Sequence, residues 1–217
     1  MTPSLVVVDL GDVLVRTCPG AQYTALERLT GTPASQWATA ADHSGLVPAL
    51  EDGRIDFPTF TRCLATRAGS KPLPPQGAED AWNAVIVGLD THVAAAAALL
   101  AGQGRLLLAS NTSPPHYARI RPLLAEAGIR APACLSYKVG HRKPADAFFQ
   151  ALAAADPRVA RNGVFIDDRA EHVAAAARHR MRARRHHDPR ATAAYLRQLA
   201  DDLPTPPKIT TERLSQR

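Results

Sequence analysis

The sequence predicts an α/β fold: a Rossmann-like, doubly wound parallel sheet with an inserted α-helical cap. Three observations carry this. Short, almost wholly apolar runs, Leu5–Val8, Leu106–Ala109 and Val164–Ile166, read as strands buried on both faces. From Asp90 onward such runs alternate with helical periodicities, the pattern of a parallel sheet wound with helices. Between the first run and that alternation, residues 16 to 88 hold helical patterns and no convincing strand.

The elements follow in order. Residues 4–9 form the first strand and end on Asp9, with Gly11 two residues later. Ala21–Leu29 is a helix with Tyr23, Leu26 and Leu29 on one face; Gly31-Thr32-Pro33 ends it, and Thr32 or Ser35 caps the next. Phe57–Ala65 is a further helix, residues 69–76 a loop rich in proline, and Ala81–Val87 the start of another helix. Thr91 caps a helix running to about Ala101, and Gly102 and Gly104 stop it before the Leu106–Ala109 strand. Helix runs from about Pro115 to Ala127, a short strand lies near Ala133–Ser136, and Pro144 opens a helix to about Ala154. Gly163–Asp167 is a strand, Ala170–Arg178 a helix, Arg182–His187 a polar strand and Ala191–Asp201 the last helix. The domain boundaries are then 1–15 and 89–203 for the core, 16–88 for the cap and 204–217 for a loose polar tail.

Composition narrows the class. The chain has 217 residues, 46% hydrophobic and 21% charged, as expected of a globular domain. No window approaches the roughly 20 apolar residues of a membrane helix. Met1-Thr2-Pro3-Ser4 lacks the basic region of a signal peptide, so the expected location is cytoplasmic. Cys18, Cys63 and Cys134 are odd in number and widely spaced, which fits neither a disulfide framework nor a zinc site. The formal charge of +6 is concentrated between Arg178 and Arg190. That run has no interleaved aromatics and no reading helix, so a solvated edge strand and helix end is favoured over nucleic-acid contact.

In parallel sheets of this kind ligands bind at the carboxyl ends of the strands. Three ends carry reactive groups: Asp9, Ser110-Asn111, and Asp167-Asp168; Lys143 follows the strand near 133–136. Carboxylates at neighbouring strand ends offer the hard oxygen donors that suit Mg²⁺. Ser110 offers a hydroxyl and Asn111 a backbone N–H for phosphate oxygens, and Lys143 a point positive charge. A nucleophilic carboxylate beside a divalent ion, a hydroxyl and a lysine points to phosphoryl transfer through an aspartyl phosphate. His116, His141, Arg142 and the loop Thr112-Ser113 are weaker candidates, and Trp37, Phe57, Phe60 and Trp82 read as the core of the cap.

Four segments then occur in a telling order: Val-Val-Val-Asp9-Leu-Gly-Asp-Val-Leu, Leu-Leu-Ala-Ser110-Asn-Thr, Gly-His-Arg-Lys143-Pro and Val-Phe-Ile-Asp167-Asp168. Over roughly residues 4–190 the chain resembles the haloacid dehalogenase (HAD) superfamily, in its phosphatase branch with a helical cap after the first motif. The resemblance implies that Asp9 is the nucleophile and that Ser110 and Lys143 hold the phosphoryl group. It also implies that Asp9, the Gly11 carbonyl and Asp168 bind Mg²⁺, with Asp167 direct or through water. The substrate it implies is a small phosphorylated metabolite such as a sugar phosphate, handled by a monomer or homodimer. Two positions depart from the pattern. The commonest phosphatase motif has an acid two residues after the nucleophile, where this chain has Gly11, and relatives often have Asn where this chain has His172. Gly11 keeps open a weakly active or inactive relative that binds a phosphorylated ligand or a protein. A 2-haloacid dehalogenase is the third reading; it needs no cation, and the Asp167-Asp168 pair argues against it.

Overall fold

The computed structural model describes residues 4–202. The predicted tail from Pro204 lies outside the described residues. In chain order the elements are β1 (Val6–Val8), β2 (Val15–Thr17), α1 (Ala21–Thr30), α2 (Ala34–Asp42), α3 (Leu46–Glu51), α4 (Phe57–Arg67), α5 (Pro75–Asn83) and β3 (Ile86–Leu89). There follow α6 (Thr91–Gly102), β4 (Leu106–Ser110), α7 (Pro114–Glu126), β5 (Ala133–Leu135), α8 (Ser136–Val139), α9 (Asp146–Ala155) and α10 (Arg158–Asn162). β6 (Val164–Asp167), α11 (Ala170–Arg178), β7 (Arg182–Arg185) and α12 (Pro189–Asp201) complete the chain.

Five strands form one parallel sheet in the order β5-β4-β1-β6-β7. Period-two geometry sends alternate residues of β1 to opposite faces. Val6 and Val8 join Val93, Ala97 and Leu100 of α6 and Leu196 of α12 in one buried layer. Leu5 and Val7 join Phe148, Phe149, Phe165 and Ala176 in the other. Both faces are therefore covered, which is why the strands read as continuous apolar runs. The inserted helices have a core of their own around Trp37, Leu50, Phe60, Leu64 and Trp82. Phe60 and Trp82 meet edge to face at 4.7 Å. Among the described residues no helix is long and apolar enough to cross a membrane.

Several local expectations are corrected. Residues 16–88 do contain strand: β2 and β3 pair antiparallel as a two-stranded ribbon at the root of the insertion. Ala81–Val87 is consequently the end of α5 followed by β3, and α5 begins at Pro75, inside the expected loop. Strands of three or four residues give too few alternations to show a period. α3 was not foreseen; at six residues it is too short for a helical period. The cap of α6 is Asp90, whose carboxylate accepts from the His92 and Val93 N–H groups, so Thr91 is already inside. Pro144 is not a first helical residue: it follows Lys143 through a cis peptide bond, and α9 starts at Asp146. The basic run forms β7, with most of its side chains exposed at the edge of the sheet, and the guanidinium of Arg184 lies 4.3 Å from the centre of the Tyr195 ring.

Candidate active site

β1 is the central strand, flanked by β4 and β6, with Val8 level with Leu108 and Ile166. One residue further, Asp9, Ala109 and Asp167 therefore lie side by side at the carboxyl edge. Asp9 is 6% exposed, Ser110 3%, Lys143 3% and Asp167 fully buried. Beyond Asp9 the chain turns at once. The Leu10 carbonyl accepts from the N–H groups of Val13, Leu14 and Val15, a single tight turn that aims Asp9 out of the sheet.

Lys143 is the hub. Its ammonium donates to Asp9 Oδ1 at 2.8 Å, Asp167 Oδ2 at 2.6 Å and the Ala109 carbonyl at 2.9 Å. All three protons are thus used, and the cation joins the ends of β1, β4 and β6. Asn111 fixes the backbone of Lys143: its amide donates to the Lys143 carbonyl at 2.9 Å, and its side-chain oxygen accepts the Lys143 N–H at 2.7 Å. The Asn111 side chain is occupied in holding the lysine, while its expected contribution to phosphate binding is its backbone N–H. Ser110 is buried at the end of β4 with its hydroxyl near the Asn111 carbonyl at 3.3 Å. Ser136, which the sequence reading passed over, holds both backbone groups of Thr112. Nothing in a lone serine 24 positions away could have signalled that pairing.

Asp167 has both oxygens engaged. Oδ2 faces Lys143, and Oδ1 accepts from the Arg169 N–H and from His172 Nδ1, each at 2.9 Å. A carboxylate only accepts, so Nδ1 of His172 carries the proton. Nε2 of His172 is buried without a hydrogen-bond partner among the described residues.

Two carboxylates share one ammonium, and their affinities for a proton split. Burial, aided by the charge of Asp167 and opposed by Lys143, pushes the Asp9 carboxyl up to about 7. Burial acts on Asp167 too, but the His172 hydrogen bond and Lys143 outweigh it and hold its carboxyl below the usual range. Burial would lower Lys143; the two facing carboxylates outweigh it and raise it. Burial and then the charge of Asp167 raise the half-buried Asp168 carboxyl, with Asp12 adding to it. This surplus of oxygen donors over cations fits a hard divalent ion, and side-chain ligating atoms of Asp9, Asp167 and His172 lie within 4.8 Å of one another.

Solved structures share the fold. A HAD family enzyme from Bacteroides thetaiotaomicron superposes with a TM-score of 0.75 at 19% identity, over 85% of this chain and 94% of that one. The same enzyme in complex with magnesium and inorganic phosphate gives 0.73 at 20% identity, over 84% and 93%. A HAD-like family hydrolase from Porphyromonas gingivalis gives 0.73 at 24% identity, over 85% and 91%. An L-2-haloacid dehalogenase from Xanthobacter autotrophicus gives 0.57 at 21%, over 84% and 76%. The fold is the HAD fold. No family model and no curated protein sequence matches the chain.

Within this HAD fold the inserted helices reach back to the lysine segment. Arg142, next to Lys143, donates from Nε to Asp52 Oδ1 at 3.1 Å and lies 3.5 Å from Glu51 Oε2. Both acids stand at the end of α3, and the next residue, Gly53, has φ +67 with Tyr137 so close that a Cβ would overlap its carbonyl oxygen. Glu51 and Asp52 were not singled out in the sequence; they lie some 90 positions from Arg142. Asp12 is also located. It has φ +53 and its carboxylate accepts the Thr17 hydroxyl at 2.6 Å, tying the turn after β1 to β2. A separate cleft of about 740 Å³ between α4, α5 and the start of α7 is lined by Phe57, Leu73, Pro75 and Pro115, and none of the acids above borders it.

Proposed function

We propose that the chain is a Mg²⁺-dependent HAD-family hydrolase that removes the phosphoryl group from a small phosphorylated metabolite through an aspartyl phosphate on Asp9. The observation that carries this is the lysine hub: one buried ammonium against Asp9, Asp167 and the end of β4. It holds Asp9 through Oδ1, which also accepts the Leu10 N–H, and it brings positive charge to where a phosphoryl group would add negative charge. Asp9, the Gly11 carbonyl and Asp168, with Asp167 direct or through water, would hold Mg²⁺, which supplies further charge neutralisation. That the Bacteroides enzyme is described with magnesium and inorganic phosphate supports this choice of ion and ligand.

Asp9 attacks phosphorus, Ser110 grips a phosphoryl oxygen, and Lys143 grips another by turning one of its three protons from its present acceptors to the phosphoryl group. Residues 16–88 act as a cap that closes over the carboxyl edge and excludes bulk water, with Glu51 and Asp52 as their link to the lysine segment. A sugar phosphate is the first substrate class to test. A second reading is favoured by Gly11: a weakly active relative that retains phosphate binding. Dehalogenation is the least supported, because the carboxylates around Asp9 call for a cation.

The test is hydrolysis of an aryl phosphate with and without Mg²⁺. Activity should vanish with chelator and in Asp9→Asn. Turnover retained by Asp9→Asn would remove Asp9 from the chemistry, and phosphate-dependent thermal stabilisation without turnover would favour the second reading.

A further inference from the structure

The basic run at the edge of the sheet is not wholly given to solvent. β7 pairs parallel with β6, with Arg185 level with Asp167, and the His186 N–H donates to the Asp167 carbonyl at 2.8 Å. Since β6 pairs in turn with β1, Asp9, Asp167 and Arg185 stand in one row across the carboxyl edge. Residues level with one another in a parallel sheet send their side chains to the same face. The guanidinium of Arg185 is also held in place: its Nε donates to the Asp168 carbonyl at 2.8 Å. Through this one residue the basic run touches the site.

That bond uses only the Nε proton. The two terminal nitrogens of the fork keep theirs, and Arg185 is exposed and forms no ion pair with a carboxylate among the described residues. The acids around it are committed elsewhere. Glu171 pairs with Arg169, and Asp188 accepts from the Arg190 and Ala191 N–H groups at the start of α12. Asp168 turns its carboxyl toward the charges of Asp167, Asp12 and Lys143. Lys143, further inward, is already neutralised by Asp9 and Asp167. The row thus ends on a fixed guanidinium whose outward edge has no anion against it among the described residues.

We propose that Arg185 binds a second oxyanion of the substrate, so that the site prefers a phosphomonoester carrying a further phosphate over one whose remainder is neutral. The proposal rests on the aspartyl-phosphate reading above and narrows its substrate class. Asp9 and Arg185 lie two strands apart, which sets the two anionic groups about 10 Å from each other. That suits a sugar bisphosphate with one phosphate at each end. The free edge of a guanidinium matches two oxygens of a phosphate at once. Because the Asp168 carbonyl already fixes the fork, little further freedom is lost when the anion binds. A substrate with a neutral remainder leaves that edge unused.

The experiment uses the full chain with Mg²⁺ and a matched pair, fructose 6-phosphate and fructose 1,6-bisphosphate. Phosphate release gives kcat/KM, and calorimetric titration of Asp9→Asn gives affinity without turnover. The bisphosphate should be preferred by about 10-fold in both measurements, beyond the roughly 2-fold that two phosphates give by chance. Raising the salt from about 0.05 to 0.5 M should narrow the preference, because Arg185 is exposed. Arg185→Gln should cut it to about 2-fold, chiefly through KM, and Arg185→Lys, which lacks the fork, should recover only part of it. Arg180→Gln removes the same charge ahead of β7, at the opposite edge of the sheet, and should leave the preference as it is. Equal kcat/KM and equal affinity for the two sugars in wild type would overturn the proposal. So would Arg185→Gln slowing both sugars by one factor, the result expected of an arginine that acts only through the Asp168 backbone. No turnover of either sugar, with the binding preference intact, would overturn the aspartyl-phosphate reading while supporting the anion site.

Discussion

Replacing Lys143 by methionine tests the hub directly. The side chain is buried, and its ammonium is held by two carboxylates and a carbonyl at 2.6–2.9 Å. Methionine preserves much of the volume and removes the charge, so Asp9 and Asp167 face each other unneutralised. Leaving a buried charge without its partner typically costs about 3–5 kcal/mol. The loss should depend on pH. Asp9 is already raised to about 7 in the wild-type fold, because burial and Asp167 outweigh Lys143. A carboxyl with a raised folded pKa binds its proton more tightly folded than unfolded. Its contribution to stability is therefore complete at low pH and is lost as pH rises from about 4 through the folded value. Without Lys143 that value rises further, and a proton on Asp9 can replace the missing cation. Urea unfolding in chelator should show the full loss near about pH 8.5 and a clearly smaller one near about pH 5.5. A loss under about 1 kcal/mol at the higher pH, or one of equal size at both, would refute the view that Lys143 neutralises this pair.

Three further outcomes follow from the same geometry. Gly53→Ala forces a side chain onto φ +67 and into the Tyr137 carbonyl, and should cost about 2–4 kcal/mol in chemical unfolding; an unchanged midpoint would mean that α3 does not pack against the segment before Lys143. Burial holds His116 down to about 4 from 6.5, so the neutral ring is favoured in the fold and stability should fall by up to about 3 kcal/mol as pH drops from 6.5 toward 4; His116→Gln should flatten that slope, and an unchanged slope would discount His116. Arg142→Ala leaves Glu51, already raised by burial, without its cation; hydrogen exchange should quicken together at residues 51–53 and 140–143, and a change confined to one side would show that the link does not couple them.

What could be read in the sequence follows from how local each signal is. Asp9, Ser110 and Asp167 each end a run of buried residues, and a parallel sheet lines up such ends, so their convergence is legible without coordinates. Lys143 was legible as a nearby cation, but its three partners were not, because they come from three strands. Asn111 shows the limit more sharply. Its backbone N–H at a strand-to-helix turn is legible as a phosphate contact, but the pairing of its side chain with the backbone of Lys143, 32 positions away, is not. The pairing of Arg142 with Glu51 and Asp52 escapes for the same reason. β2 and β3 were missed because strands of three and four residues display almost no period.

The lysine hub and the turn that follows Asp9 have separate structural origins. Strand order puts β1 between β4 and β6, and burial on both faces fixes their register. That order sets Asp9 beside Asp167, and the connection after β5 brings Lys143 between them, so the hub is tied to the stability of the fold. Gly11 lies just past the strand, in a turn closed by the Leu10 carbonyl, and its Cβ direction opens on free space. A Cβ there would touch neither core nor hub. This position can thus change while the sheet, the lysine hub and the acids of the site stay as they are.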